Sequence, residues 1–329
     1  MFLRFFSLRF CIAVLFWATF LSRLMQLTPA MAQASSGYFP NTPLITQDGV
    51  KVLFYDDLLK GKSVAINVIY TECTNECPLE TARMAEVQRL LGERMGRDIV
   101  FYSISIDPEH DTPKVLKDYA NKFNVGPGWV FLTGKKEDIK VLAKKLGLSR
   151  SSDGANSDGH ASSLMLGNER TGQWMRNSAV DNPRFLFATM NNFFNWHVSQ
   201  GVSYAEARPV DISRAQHMFQ SRCASCHTIG GGDKIGPDLA GIRQRREPAW
   251  LSRFIKEPEK MLAEGDATAI KLFQNYKQVR MPNLGLTDTD VALLLTHIDV
   301  AEKQRREPYP SQGVANRSDG PGATHHHHD

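Results

Sequence analysis

The sequence predicts an α/β domain followed by a small all-α domain. From Ser63 to about residue 176, short runs rich in β-branched residues alternate with helical patterns, which is typical of a layered α/β sheet. From about Asp211 onward only helical patterns remain, arranged around the run Cys-Ala-Ser-Cys-His at 223–227. The length of 329 residues agrees with two domains of roughly 100 to 200 residues each.

The first domain is predicted from its strands and helices in order. Residues 33–50 are expected to be an irregular lead-in, and the β-branched run Ser63–Tyr70 is expected to be a buried strand. Pro78 suits the first turn of the next helix, where its missing N–H has no cost. The hairpin that closes the domain would add antiparallel edge strands. The further expected elements are a strand at 99–106, a helix at 112–124, a strand at 129–132, a helix at 135–146 and the hairpin at 162–166 and 173–176.

The second domain is predicted to be entirely helical. An amphipathic helix near residues 212–219 precedes the cysteine motif, and helices are expected at about 248–255 and 267–275. Thr287 and Asp290 resemble a capping box at the start of a last helix. The predicted organisation is a signal segment at 1–32, the first domain at 40–180, an aromatic connector at 181–210, the second domain at 211–302 and a disordered tail at 303–329.

Charge and the N-terminal segment indicate an exported protein. Without Arg4, Arg9 and Arg23 the chain holds 36 basic and 35 acidic residues, and this near balance argues against nucleic-acid binding. The apolar stretch 10–21 follows a positive start and precedes the small-residue site at 30–32, as in an export signal. We therefore expect a periplasmic protein. An uncleaved segment that anchors the protein to the inner membrane is the alternative.

The run Cys223-Ala-Ser-Cys226-His227 is the signature of covalent c-type haem attachment. The two thiols add across the haem vinyl groups, and the following imidazole binds the iron. One short turn can present both sulfurs to one porphyrin edge and the imidazole to its face. We expect one covalent haem c in the second domain.

The second domain resembles a class I mono-haem cytochrome c. The matching features, in order, are a helix, the motif at 223–227, Gly236-Pro237-Asp238-Leu239, Met281-Pro282 in a loop, and a closing helix. The resemblance implies His227 as proximal iron ligand, Met281 as distal ligand, and Pro237 as the residue that orients the histidine. Methionine is more often a core residue, and Met261 is the next candidate for the distal ligand. A His/Met pair suits a low-spin electron carrier.

The second cysteine pair, Cys73 and Cys77, lies between a predicted strand and a predicted helix. Cys77 is expected at the helix N-cap, where the positive helix end favours a thiolate. Thiolates are redox nucleophiles and soft ligands that select Cu(I). A spacing one residue wider than C-x-x-C lets both sulfurs converge on one ion. A structural disulfide and a dithiol/disulfide exchanger are the alternatives.

Residues 40–180 resemble the Sco family of copper chaperones, which have a thioredoxin-like fold. The matching motifs are Cys73-x-x-x-Cys77-Pro78, Ser105-Ile106-Asp107-Pro108 with Asp111-Thr112-Pro113, and His160-Ala161-Ser162. The resemblance implies one copper ion, Cu(I) or Cu(II), bound by Cys73, Cys77 and His160. Ala161 departs from the serine that many family members have directly after the histidine. The activity it implies is copper delivery to, or thiol reduction at, the dinuclear copper centre of cytochrome c oxidase.

These features together predict a periplasmic metalloprotein that supports assembly of a respiratory oxidase. Its expected partners are the copper-centre subunit of cytochrome c oxidase and other periplasmic redox proteins. We further expect the haem to accept electrons from the copper or thiol site, because dithiol couples lie at roughly −120 to −270 mV. The alternatives are a haem-coupled thiol-disulfide oxidoreductase and an electron carrier whose first domain only docks partners. The histidines at 325–328 are a purification remnant or a native metal-binding tail.

Overall fold

The computed structural model of the protein describes residues 37–74, 76–149, 162–196 and 212–306. The expected export signal and His160 lie outside these ranges. Among the described helices, none combines the length and the apolar character that a membrane span requires.

The first domain is built on one mixed sheet of seven strands in the order β2-β1-β5-β4-β3-β6-β7. The central strands β3, β4 and β5 are parallel, whereas β1 pairs antiparallel with β5 and β6 pairs antiparallel with β3. The α/β prediction and the antiparallel edge hairpin are therefore confirmed. The strands are β1 Pro43–Thr46, β2 Lys51–Leu53, β3 Ser63–Ile69, β4 Val100–Ser105, β5 Trp129–Gly134, β6 Ser163–Asn168 and β7 Gln173–Ser178.

Helices cover both faces of this sheet. Side chains alternate along β3, so Ala65 and Ile69 enter one apolar cluster and Ile66 and Val68 enter the other. A central strand that is buried on both faces reads as a continuous apolar run, which explains the β-branched stretch in the sequence. The helices of the first domain are α1 Cys77–Leu91, α2 Pro113–Lys122 and α4 Pro183–Phe193 on the first face, and α3 Lys136–Lys145 on the second.

The structure corrects two expectations for the first domain and adds one helix to it. The lead-in expected to be irregular contains strand β1, which pairs with both β2 and β5. Helix α1 begins at Cys77 itself, and Glu76 occupies the N-cap position. The aromatic connector contributes helix α4, whose Leu186 and Met190 are completely buried in the first domain's core. This part of the connector therefore packs against the first domain.

The second domain consists of helices around a third apolar cluster. Met218, Phe219 and Leu251 pack there against the last helix, which contributes Leu294 and Ile298. The Thr287–Asp290 capping box is present, since each side chain accepts a hydrogen bond from the other residue's backbone N–H. The helices are α5 Arg214–Arg222, α6 Ile242–Arg245, α7 Pro248–Lys256, α8 Pro258–Ala263, α9 Ala267–Asn275 and α10 Asp288–Arg306.

Two features of the second domain differ from expectation. Helix α8 was not expected, because Pro258 shortly after α7 reads as a helix stop whereas here it starts a new helix at its first position. Helix α10 continues to Arg306, four residues into the stretch expected to be a disordered tail. An ion pair between Glu302 and Arg306 spans that last turn.

Candidate redox and metal sites

The loop between β3 and α1 carries the upstream cysteine pair into the protein interior. Cys73 is 2% exposed and Cys77 is completely buried. The Cys73 N–H donates to the carbonyl of Tyr70 at 3.3 Å, which turns the chain back after the strand. The two thiols are hydrogen-bonded to each other, and this bond together with burial raises the pKa of the Cys77 thiol far above its ordinary value.

That pKa shift corrects the expectation of a thiolate at Cys77. The positive end of α1 favours a thiolate, but the neighbouring Cys73 sulfur and the loss of water outweigh it. Metal binding requires deprotonated ligands, so a soft cation would displace these protons as it binds. Two adjacent sulfurs at a helix start fit Cu(I), and they are also placed to form a disulfide.

A buried carboxylate anchors the loop that leads to Cys73. Asp111 is completely buried and accepts hydrogen bonds from the Thr71 hydroxyl at 2.5 Å and the Thr71 N–H at 3.2 Å. The Ser105 hydroxyl donates to the same carboxylate at 2.6 Å. Burial raises the pKa of Asp111 above its ordinary value despite these bonds. Asp111 belongs to the Asp111-Thr112-Pro113 motif, for which the sequence alone indicated no role, and in the structure it positions this loop.

A buried tyrosine on α2 is hydrogen-bonded to the first turns of α1. Tyr119 on α2 lies with its hydroxyl 2.9 Å from the Thr81 hydroxyl, and it donates to the Cys77 carbonyl at 3.4 Å. Thr81 also donates to that carbonyl at 2.9 Å. No signal in the sequence pointed to Tyr119, because its partner Cys77 lies 42 positions earlier in the chain.

His160, the expected third copper ligand, lies outside the described residues. Among the described residues, the Ser162 hydroxyl donates to the Glu76 carboxylate, and Glu76 lies between the two cysteines in the chain. The chain therefore enters β6 beside the cysteine loop. Within the described residues no group of three or more metal-ligating side chains is present.

The downstream motif forms a tight turn after α5. The His227 N–H donates to the Cys223 carbonyl at 2.9 Å, which brings the imidazole next to both sulfurs. Its Nδ1 lies 2.8 Å from the Pro237 carbonyl. A carbonyl can only accept, so Nδ1 carries the proton and Nε2 is left to bind a metal. Burial lowers the pKa of His227, which keeps the ring neutral.

This turn opens on a mainly apolar cavity of about 450 Å³. Cys223, Cys226, His227 and Met281 all line it, whereas Met261 does not and lies 2% exposed in α8. Gly236 also lines the cavity, and a Cβ there would come within 2.6 Å of the His227 ring. Two thiols, an imidazole with a free Nε2 and a thioether around one apolar cavity fit a covalently bound haem.

The two sites adjoin each other. The Asn283 N–H, two residues after Met281, donates to the Thr74 carbonyl between the upstream cysteines at 3.2 Å. Leu79, on the first turn of α1, lines the haem cavity. No sequence pattern predicted this contact, since the residues that make it lie about two hundred positions apart.

Comparison with known families finds one matching family model for each domain. Residues 39–190 match the SCO1/SenC family model, and residues 212–301 match the Cytochrome c family model. The chain therefore carries a region similar to SCO1/SenC domains, followed by a region similar to cytochrome c domains. The Sco domain, as we call residues 39–190 from here on, has the thioredoxin-like α/β fold that the resemblance implied. The cytochrome domain, residues 212–301, has the expected helical fold.

Individual relatives are similar to about a third of the chain. The SCO1 protein homolog of Bacillus subtilis is 37% identical over 101 residues, which are 30% of this chain and 51% of that protein. An SCO2-like protein of Rickettsia felis is 37% identical over 102 residues, or 31% of this chain and 47% of that protein. The chain thus spans about half the length of these curated relatives. A SCO1/SenC family lipoprotein from Bacillus anthracis has a crystal structure that is 29% identical, covers 47% of this chain and 94% of its own, and has a TM-score of 0.40.

Proposed function

We propose that this protein is an exported copper chaperone and thiol-redox protein for the copper centre of cytochrome c oxidase. The observation that carries the proposal is the Cys73–Cys77 pair, buried and hydrogen-bonded at the start of α1. The Ser162–Glu76 bond supports His160 as a third copper ligand, because it holds the strand that follows His160 against the same loop. The family match of residues 39–190 favours the oxidase as the destination of the copper.

The cytochrome domain gives the proposal its second half. A haem held by Cys223, Cys226, His227 and Met281 would supply a one-electron couple. The chain's own contribution is to keep His227 neutral and oriented through the Pro237 carbonyl and to place Met281 in the lining of the same cavity. Oxidation of bound Cu(I) to Cu(II) releases one electron, which balances reduction of ferric iron to ferrous. Oxidation of the dithiol to a disulfide releases two, so copper is the simpler electron donor.

Metal analysis with an optical spectrum tests the chaperone proposal. The protein should be prepared without residues 325–328, because four consecutive histidines bind copper by themselves. We expect about one copper and one haem in the parent protein, and loss of copper alone in Cys73→Ala/Cys77→Ala. His160→Ala should weaken copper binding, whereas His110→Ala, an exposed histidine, should not. Copper retained by the double cysteine variant would overturn the proposal.

Stopped-flow mixing tests the electron transfer. Cu(I)-loaded protein with ferric haem should show haem reduction, and Cys73→Ser should abolish it. The thiol-disulfide alternative is favoured by the contact between the two thiols. It predicts haem reduction by the copper-free dithiol at two haems per disulfide formed. Haem reduction no faster than in Cys73→Ser would exclude both routes.

A further inference from the structure

The two domains contact each other at the segment from Cys73 to Cys77, which we call the copper loop. The Asn283 N–H donates at 3.2 Å to the Thr74 carbonyl, which lies in the middle of the loop that joins Cys73 to Cys77. The loop that presents Met281 to the haem cavity therefore rests directly on the loop that presents the copper-binding sulfurs. The two metal-binding loops share a hydrogen bond rather than facing separate surfaces.

An apolar junction surrounds that hydrogen bond. Leu79 of the Sco domain is 5% exposed and lines the haem cavity. In return Cys226, Ile235 and Val279 of the cytochrome domain pack against the Sco domain's buried cluster. Each domain thus supplies apolar surface that the other covers, and covering apolar surface stabilises the docked arrangement.

A lysine fastens the edge of this junction. The Lys277 Nζ donates to the Asn124 Oδ1 at 2.6 Å and to the Asn121 carbonyl at 3.4 Å. Both acceptors lie at the C-terminal end of α2, where the last carbonyls carry the negative end of the helix dipole. The cytochrome domain therefore binds the Sco domain at three places around the sulfurs.

We propose that the cytochrome domain is a built-in cap over the copper loop. It occupies the face of the Sco domain that an external protein would have to contact in order to receive copper or exchange thiols. A partner protein reaches Cys73 and Cys77 only after the cytochrome domain has moved aside. The identity of that partner rests on the proposed function, whereas the cap itself does not.

If the cytochrome domain caps the loop, the labelling rate of Cys73 and Cys77 should depend on the size of the thiol reagent. Iodoacetamide is small, whereas a maleimide attached to a long polyethylene glycol chain has the bulk of a protein. Both reagents should be applied to copper-free holoprotein in a Cys11→Ser background, so that Cys73 and Cys77 are the thiols outside the haem. We expect the bulky reagent to be slowed much more than the small one.

Charge variants at the fastening lysine test the cap directly. Lys277→Glu places a carboxylate against the carbonyl end of α2 and should speed bulky labelling by about 1.4-fold to fivefold, since an exposed charge contact is worth roughly 0.2 to 1 kcal/mol. Asn124→Asp should slow it by a similar factor through a new ion pair with Lys277. Lys271→Glu makes the same charge change on exposed α9 and should leave the rate unchanged.

The labelling rates test the cap independently of whether the protein binds copper. Equal bulky labelling rates in the parent, Lys277→Glu and Asn124→Asp would overturn the cap, and so would equal access for both reagents. An unchanged haem spectrum in each variant verifies that the cytochrome domain is folded. Because the assay uses copper-free protein, failure of the chaperone proposal shows up only in the copper analysis.

Discussion

The two cysteine pairs lie in opposite settings. Cys73 and Cys77 are enclosed by protein at the junction of a strand and a helix, and their thiols bond to each other. Cys223 and Cys226 lie in a turn after a helix and face a cavity of about 450 Å³. The first pair has almost no exposed surface, whereas the second pair lines a mainly apolar cavity that fits a porphyrin. The space that the backbone leaves beside two sulfurs therefore limits what they can bind.

The largest effect is expected from a substitution that fills the space between Gly236 and the His227 ring. In Gly236→Ala the new Cβ would meet the His227 ring at 2.6 Å, so we expect the imidazole to shift and the low-spin haem spectrum to be lost. Overpacking of this kind costs about 1 to 3 kcal/mol even where the fold survives. Copper binding should be unaffected.

Gly231→Ala is the matched control, because it adds the same methyl group in the same loop against Thr228 at 3.2 Å. Its haem spectrum should remain that of the parent protein. An unaltered haem spectrum in Gly236→Ala would mean that the small size of Gly236 is not needed to position the His227 ring.

Removal of the loop anchor tests the enclosed pair. Asp111→Ala leaves the Thr71 N–H, the Thr71 hydroxyl and the Ser105 hydroxyl without their buried acceptor. We expect a loss of about 3 kcal/mol in the free energy of unfolding of the Sco domain. Copper affinity should fall by about tenfold to a hundredfold, as for other residues that support metal ligands.

Denaturant unfolding and competition with a Cu(I) chelator measure these two effects. Asp107→Ala is the control, since Asp107 bonds the exposed His110 at 2.8 Å and its loss should cost less than about 1 kcal/mol. Equal losses in both variants would contradict the positioning role of Asp111.

A charge change on α1 tests whether the Sco domain influences the haem. Arg83 is 4% exposed and carries its charge near Cys226, and burial lowers its pKa. A buried cation beside the haem favours the ferrous form, so Arg83→Met should lower the haem reduction potential. The expected decrease is on the order of tens of millivolts at an effective dielectric constant of about 20.

Spectroelectrochemistry of the holoprotein measures that potential. Arg89→Met removes a charge from the exposed side of the same helix and should leave the potential within a few millivolts of the parent value, because exposed charges are screened. If Arg83→Met left the haem reduction potential unchanged, the charge of Arg83 would have no electrostatic influence on the haem.

The smallest expected effect concerns acid stability of the cytochrome domain. Partial burial acts to raise the pKa of Asp238, but backbone N–H groups of Ala240, Gly230 and Gly232 outweigh it and hold the pKa at about 2. The ordinary value is 3.8, so the ionised form stabilises the fold above about pH 4. That contribution is lost as the pH falls through about 2.

Acid titration of the haem spectrum, followed in parallel with Asp238→Asn, measures this contribution. The variant should be less stable at neutral pH by about 1 kcal/mol after allowance for solvent screening, with a shallower change between pH 4 and 2. Asp299→Asn, at an exposed ion pair with Arg243, should follow the parent. If the haem spectrum of the parent protein did not change between pH 4 and 2, Asp238 would not contribute to acid stability.

Much of this architecture was predictable from the sequence. The β-branched run in β3 predicted a strand because a strand buried on both faces needs apolar residues at every position. The motif at 223–227 predicted haem attachment because its ligands are neighbours in the chain. Strand β1 was missed because it has only four residues, too few to show alternation. Helix α8 was missed because a proline can either end a helix or begin one.

The sequence by itself thus determined most of the elements and the family that each domain resembles, since these depend on local patterns and short spacings. Tertiary structure alone decided that Asp111 anchors the cysteine loop and that Tyr119 lies beneath it. It also decided that Leu79 and Asn283 bring the two sites into contact. The physical reason is that contacts between residues far apart in the chain follow from how packed surfaces meet, and a linear sequence carries no periodic signal for that meeting.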